Sequence, residues 1–369
     1  MRVTWDQVFA WRMRRQFVEP RAKADAVEIA RRLCGVQSQV ASAAETAVAL
    51  RSSTGEPGAV AAALADRTLM KTWTMRGTLH ALTPEQAAAG ASLMGATRIW
   101  EKAAWTKNFG PTPAEMDALV EAVGEILDSA VLTRDELVTA LVAEPRFKRL
   151  EDALRNSWGG LLKPLAWRGA LCYGPSQGNT VTFTNPAHLI PAWPGIPDPD
   201  AAAPGFIADY LAAYGPATPE IFDAWLTRNN HRKTVVRRWF AELGDRLTEV
   251  DVEGRPGYIL TDHADELAAI KPKPIVRLLG SFDQYVLGPG TGDAALLPSA
   301  HRPKVSRAAG WISPLVVVNG RIVGTWETSG EELTVTMFDN APAPMAELER
   351  EAPHVARALG QSQLKVRTA

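Results

Sequence analysis

Residues 218–260, TPEIFDAWLTRNNHRKTVVRRWFAELGDRLTEVDVEGRPGYIL, decide the fold. Thr218-Pro219-Glu220 opens a helix, with proline at the first helical position, where its missing N–H leaves no hydrogen bond unmade. A basic helix follows near 231–243. Two strand-like runs, around Leu247–Val252 and Tyr258–Leu260, then flank the turn residues Glu253-Gly254-Arg255-Pro256-Gly257. Helix, helix, hairpin is the winged-helix variant of the helix-turn-helix. The same order is legible upstream. Thr133 begins a short helix, 152–167 reads as another, and Ala170–Tyr173 and Thr180–Phe183 alternate as strands around the loop Gly174–Asn179. Residues 4–82 read as a third unit, with Leu69–Met75 and Thr78–Leu82 as its hairpin. The repetition is architectural, not one of sequence.

Helix starts are legible because Thr4, Thr83, Thr112 and Thr133 each stand three residues before Gln7, Gln86, Glu115 and Glu136. That is the capping-box spacing, in which two backbone N–H groups are satisfied reciprocally. Pro191, Pro194, Pro197, Pro199 and Pro204 mark 191–204 as a linker that is neither helix nor central strand. Lys271-Pro272-Lys273-Pro274 marks a second boundary. Beyond it come strand-like runs at Ile275–Leu279, Tyr285–Leu287, Leu315–Val318, Arg321–Trp326 and Leu333–Phe338, then a closing helix over about 344–359. Asn319-Gly320 is the pair that favours a type I′ hairpin turn. The expected fold is α+β. Tandem winged-helix units over 1–110, 111–190 and 200–270 form a concave arrangement, followed by a small antiparallel β domain over 271–369.

Composition narrows the function classes. The 369 residues are 46% hydrophobic and 22% charged, as in an ordinary soluble globular protein, and no apolar run approaches a membrane span. With 40 basic and 41 acidic residues the net charge is −1, so nucleic acid has to be met by local patches. Two are present, Arg12, Arg14 and Arg15, and the denser Arg228, Arg232, Lys233, Arg237 and Arg238; either also fits a solvated helix face. Cys34 and Cys172 are the only cysteines, which fits a reducing, cytoplasmic setting and excludes a disulfide framework or structural zinc. The expectation is a monomer without metal or cofactor. Trp5, Trp11, Trp225 and Trp239 are expected in the core.

Several motif matches fail on context. Gly174-Pro175-Ser176-Gln177-Gly178 has the hydrolase spacing but lies between two strands, without the helix a nucleophile elbow needs. Gly288-Pro289-Gly290-Thr291-Gly292 lacks dinucleotide-binding spacing, and no phosphate loop or His-Glu-x-x-His occurs. What remains is Gln37-Ser38-Gln39, within Leu33-Cys34-Gly35-Val36-Gln37-Ser38-Gln39-Val40, with Trp73-Thr74-Met75-Arg76-Gly77-Thr78-Leu79-His80 downstream. The plain reading of the two glutamines is a cap on a helix beginning near Val40, or satisfaction of buried backbone. The chemical reading is narrower. Glutamine does not ionise near neutral pH and is no general base, yet it accepts a hydrogen bond from water and donates another. Positioning water suffices only where the leaving group departs readily. An N7-alkylated purine is such a group, because breaking its glycosidic bond neutralises its positive charge.

Taken together, Gln37-Ser38-Gln39, Met75–His80, Tyr214-Gly215-Pro216-Ala217-Thr218, Leu279-Gly280-Ser281-Phe282-Asp283-Gln284-Tyr285 and Gly324-Thr325-Trp326 resemble the AlkZ-type winged-helix DNA glycosylases over essentially the whole chain. The resemblance implies a monofunctional glycosylase acting on N7-alkylpurines in double-stranded DNA. It extends to interstrand cross-links, in DNA repair or antibiotic self-resistance. It also implies that Gln37 and Gln39 orient the hydrolytic water. Some relatives carry a carboxylate at the second glutamine, which this chain lacks. Arg76 and His80 are expected to border the cleft and contact DNA, as are Arg232, Lys233, Arg237 and Arg238, and Arg302 and Lys304 in the Gly288–Arg307 segment. Trp73 and Leu79 are expected in the core, and Asp283 is expected to pair with an arginine. From pattern alone the rival comes first: a non-catalytic winged-helix DNA-binding or regulatory protein. The helix over 151–167, poorly basic and interrupted by Gly159, Gly160 and Pro164, speaks against it.

Overall fold

The computed structural model describes residues 1–156 and 159–369. Its helices begin where the threonines stand. Thr4, Thr112 and Thr133 form complete capping boxes with Gln7, Glu115 and Glu136. Thr83 and Thr218 accept a single bond each, from the backbone N–H of Gln86 and Ile221. Gln86 departs from the box because its side-chain amide is spent elsewhere, on the carbonyl of Arg31 and the carboxylate of Asp209.

Among the described residues the strands form three sheets. One has six strands in the order Val36–Gln37, Leu79–Leu82, Met70–Trp73, Cys172–Tyr173, Thr182–Thr184 and Leu132–Thr133. The hairpins at 70–82 and 172–184 are halves of one sheet, joined where Lys71 pairs with Tyr173. Trp73, Tyr173 and Phe183 pack ring against ring across that joint. A second sheet pairs Leu247–Val252 with Arg255–Leu260, and Arg2–Val3 adds to its edge in parallel. The third runs Val276–Leu279, Leu315–Val318, Arg321–Ser329, Glu332–Met337 and Lys365–Thr368. It is antiparallel except at its last strand, which pairs in parallel. Helix Met345–Ala358 packs its apolar face on this sheet through Leu348, Ala352 and Val355. Asn319 and Gly320 both take positive φ at its tightest turn, and a Cβ on Gly320 would meet Phe9 at 2.3 Å.

Four local expectations change. The helix expected over 152–167 is two pieces, Glu151–Arg155 and Leu162–Trp167, with Gly159 at φ +65° in the break; Ser157 and Trp158 lie outside the described residues. Tyr285–Leu287 is helical, not extended, because the Asp283 side chain accepts the Tyr285 N–H and nucleates the turn Gln284–Leu287. The proline-rich 191–204 is only partly a linker. Helix Pro199–Tyr214 starts inside it and contains Pro204, whose one missing bond is outweighed by burial of Phe206, Ile207, Tyr210, Leu211 and Tyr214. A strand, Lys365–Thr368, follows the helix expected to close the chain. Trp11, Trp225 and Trp239 are buried as expected, with Trp5 half-buried beside Phe9.

Candidate active site

Helix Ala26–Arg32 ends in a left-handed turn, Cys34 at φ +52° and Gly35 at φ +94°, with the Gly35 N–H on the carbonyl of Ala30 at 2.8 Å. That turn lays Val36–Gln37 beside Leu79–Leu82, with Val36 opposite Ala81 and Gln37 opposite His80. Val36 and Ala81 face a core that includes Ile29, Leu33 and Val48. Since side chains alternate along a strand, Gln37 and His80 share the other face, where Thr72 opposes His80 from the third strand. The Ser38 N–H donates to the carbonyl of Leu79 at 2.8 Å and carries the ladder one residue further. Gln39 follows, exposed. The next helix, Ala41–Ala49, takes Val40 as its N-cap residue without any side-chain bond, so neither glutamine caps it.

This face and its surroundings hold buried polar atoms without partners. Gln37 Oε1 and His80 Nε2 on this face, and Ser38 Oγ and Arg76 Nη2 beside it, are enclosed and make no hydrogen bond among the described residues. Most buried polar groups are paired, so two unpaired atoms on directly opposed residues, Gln37 and His80, are unusual. His80 has no exposed surface, and its Nδ1 lies 3.1 Å from the carbonyl of Thr78 and 3.2 Å from Thr74 Oγ1. Burial, helped by the Arg76 guanidinium, pushes its pKa down to about 3, so the imidazole is neutral. Arg76 is half-buried in the tight turn Met75–Gly77 at φ +58°, and its Nη1 donates to the carbonyl of Trp225 at 2.9 Å. Burial and the neighbouring Arg228 lower its pKa to about 10.

His80 is thus fully buried and Arg76 half-buried. The other expected contacts divide. Arg237 pairs with Glu220 at 2.7 Å and Arg238 with Asp200 at 2.6 Å, while Arg232 and Lys233 are exposed and carry no side-chain partner among the described residues. Arg302 donates to Thr291 Oγ1 at 3.2 Å, and Lys304 stands 5.2 Å over the Phe338 ring. Lys304 and Arg307, with Trp311, line a cavity of about 480 Å³ that reaches Ser42 and Thr46 of the helix following Gln39. Trp311 is 42% exposed at the tip of the turn closed by the Ser306–Ile312 bridge. A larger cavity, about 1010 Å³, opens between the N-terminus and the strands Leu247–Val252 and Arg255–Leu260, away from the glutamines.

Sequence reasoning passed over Lys163 and Lys71. Lys163 carries no ion pair among the described residues and sits beside the Met75–Gly77 turn, 3.9 Å from where a Gly77 Cβ would be; burial, and then the nearby Arg228, lower its pKa. Lys71 stands 5.3 Å over the Tyr173 ring. The signal for Lys163 was a lone cation in the apolar run Leu161-Leu162-Lys163-Pro164. Asp283 pairs with Arg51, both fully buried. Ser176 lies exposed in a loop between strands, as its context required.

Known proteins agree with this architecture from end to end. Residues 30–361 match the model of the family described as DNA glycosylase AlkZ-like. The interstrand DNA cross-link repair glycosylase of Streptomyces sahachiroi is 56% identical over 369 residues, covering 100% of both chains. The solved structure of the Streptomyces sahachiroi DNA glycosylase AlkZ superposes with a TM-score of 0.98 at 56% identity, again over 100% of both chains. The chain belongs to the AlkZ-like DNA glycosylase family.

Proposed function

We propose that this protein is a monofunctional DNA glycosylase that hydrolyses the N-glycosidic bond of N7-alkylated purines, including purines tied into interstrand cross-links, with Gln37 and Gln39 placing the water. The observation that carries this reading is the Gln37 amide, fixed by the strand ladder opposite a neutral His80 and holding an unpartnered oxygen. An amide set in this way positions water without a proton-transfer group. Water adds its oxygen to C1′, its proton passes to solvent, and the purine leaves with the bonding pair, which cancels its positive charge. Orientation of water and stabilisation of the cationic sugar are then the enzyme's main tasks. No lysine is assigned as a nucleophile, so the product is an intact abasic strand.

The helix–helix–hairpin stretches are read as winged helices around an open cleft. A cross-linked purine stays tethered to the opposite strand, so it cannot be drawn fully into a closed pocket as in ordinary base flipping. Contacts to the phosphate backbone are assigned to Arg302 and Lys304, with Arg307, beside the cavity near Gln39. Arg232, Lys233, Lys163 and Arg228 supply a second basic stretch. Arg237 and Arg238 join it on breaking their carboxylate pairs. Arg76 and His80 are assigned to the support of Gln37. The protein is taken to act as a monomer in the cytoplasm. The test is duplex DNA with one site-specific N7-methylguanine, treated with mild alkali and run on a denaturing gel. Alkali-dependent cleavage, lost in Gln37→Ala/Gln39→Ala, supports the assignment. Tight binding to intact DNA without cleavage returns the protein to the non-catalytic winged-helix binders.

A further inference from the structure

Two buried hydrogen-bond acceptors stand on directly opposed residues at the candidate site. His80 Nδ1 lies beside the carbonyl oxygen of Thr78, which can only accept, so Nδ1 carries the proton and Nε2 is left as a bare lone pair. Nε2 is buried without a partner, and so is Gln37 Oε1 on the residue directly opposite. The bond from the Ser38 N–H to Leu79 makes the neighbouring Gln37–His80 pair, by alternation, one without mutual backbone bonds. Such pairs hold their side chains closest, with Cβ atoms roughly 4.5–5.5 Å apart. Two acceptors cannot satisfy each other. A carboxamide, however, exchanges its oxygen and nitrogen by a half-turn about its last bond, with little change of shape.

We propose that His80 is the positioning residue for Gln37: its Nε2 accepts a hydrogen bond from the Gln37 amide nitrogen and thereby turns the amide oxygen outward, toward the hydrolytic water. No hydrogen bond joins Gln37 to His80 as the atoms stand, so the side chain has to swing as well as turn; the bond then pairs Nε2 and gives Gln37 a defined polarity. A freely turning amide would present its N–H₂ to the water half the time, and that end cannot accept a hydrogen bond from water. Thr78, Thr74 and the buried surroundings fix the tautomer that this requires. Arg76 is the competing donor, but its Nη1 is held by the carbonyl of Trp225, and no bond joins its guanidinium to the imidazole. This assignment rests on the glycosylase reading above, from which it is separable by a spectroscopic readout.

Full-length protein with ¹⁵N-labelled histidine tests the contact directly, the His80 signals being identified by their loss in His80→Gln. The expected result is a protonated Nδ1 and a bare Nε2 across the neutral range, with the Nε2 signal shifting in Gln37→Ala and staying in place in Arg76→Met. A protonated Nε2, or an Nε2 signal indifferent to Gln37→Ala, overturns the proposal whether or not the protein excises bases. Single-turnover excision of N7-methylguanine is the second readout. His80→Leu should slow it by roughly tenfold or more with lesion-DNA affinity nearly unchanged, and His80→Gln, which keeps an acceptor near the Nε2 position, should recover most of the rate. A folded His80→Leu variant with the full rate overturns the proposal. A wild-type protein that excises nothing overturns the glycosylase reading instead, and leaves the contact to be decided by the nitrogen signals.

Discussion

Arg51 and Asp283 form a two-pronged ion pair, Nη1 to Oδ2 at 2.8 Å and Nη2 to Oδ1 at 2.7 Å, with neither side chain exposed. Arg51 closes the helix that follows the glutamine motif, and Asp283 sits at the edge of the C-terminal sheet, 232 positions away. The pair therefore ties the candidate site to the domain whose cavity adjoins it. Asp283→Ala strands a buried guanidinium, and a loss of roughly 3–5 kcal/mol is expected in urea unfolding. Replacing both partners with apolar residues of similar volume should recover most of that loss. A single substitution costing under ~1 kcal/mol would show that the pair is not holding the two parts together.

Gln37→Ala should behave oppositely. The residue buries little apolar surface and contributes at most one hydrogen bond, to His80, so stability should fall by no more than about 1.5 kcal/mol. Excision of N7-methylguanine should nevertheless fall roughly 10–1000-fold, in this variant and in Gln39→Ala, with DNA affinity changing much less. Thermal melts beside single-turnover kinetics check both halves. A Gln37→Ala variant with normal kinetics removes Gln37 from the chemistry.

The different fates of these residues show what a sequence exposes. Caps are local, so Thr4, Thr112 and Thr133 were legible three residues at a time, as was the Asn319-Gly320 turn. That Asp283 would seek an arginine follows from its type; that the arginine is Arg51 depends on chain crossings with no local signature. The same applies to Lys71 pairing with Tyr173, which merges two hairpins into one sheet. Tyr285–Leu287 was misread because β-favouring residues were weighed without the Asp283 cap, and 152–167 because the glycines were treated as interruptions rather than as an end. At the site, the glutamines announced themselves by type and spacing. The burial of His80 did not, because it is set by the two neighbouring strands that bracket it.

Salt dependence should separate free cations from paired ones. Each lost phosphate contact lowers the slope of log affinity against log salt by about 0.9. Arg302→Ala/Lys304→Ala should therefore flatten the slope by roughly 2, for damaged and intact duplex alike, as measured by fluorescence anisotropy across a salt series. Arg237→Ala should change it less, since that guanidinium is already paired with Glu220. Equal slopes in the double variant and the wild type would place the backbone contacts elsewhere.

Acid should weaken the fold through His80. Its folded pKa, about 3, lies below the unfolded value of 6.5, so between these limits the unfolded chain binds the extra proton. The stabilisation from keeping this imidazole neutral is complete above about pH 6.5 and is lost as pH falls toward 3. At 1.36 kcal/mol per pH unit, the loss between pH 7 and pH 5 is about 2 kcal/mol. A His80→Gln variant has nothing to titrate there, so its urea midpoint should fall less over the same interval. Arg76→Met should also make the wild-type loss shallower, because removing the neighbouring cation raises the His80 pKa. Parallel pH profiles for the wild type and His80→Gln would mean that the imidazole is already charged in the folded protein, and the acceptor assigned to Gln37 would then not exist.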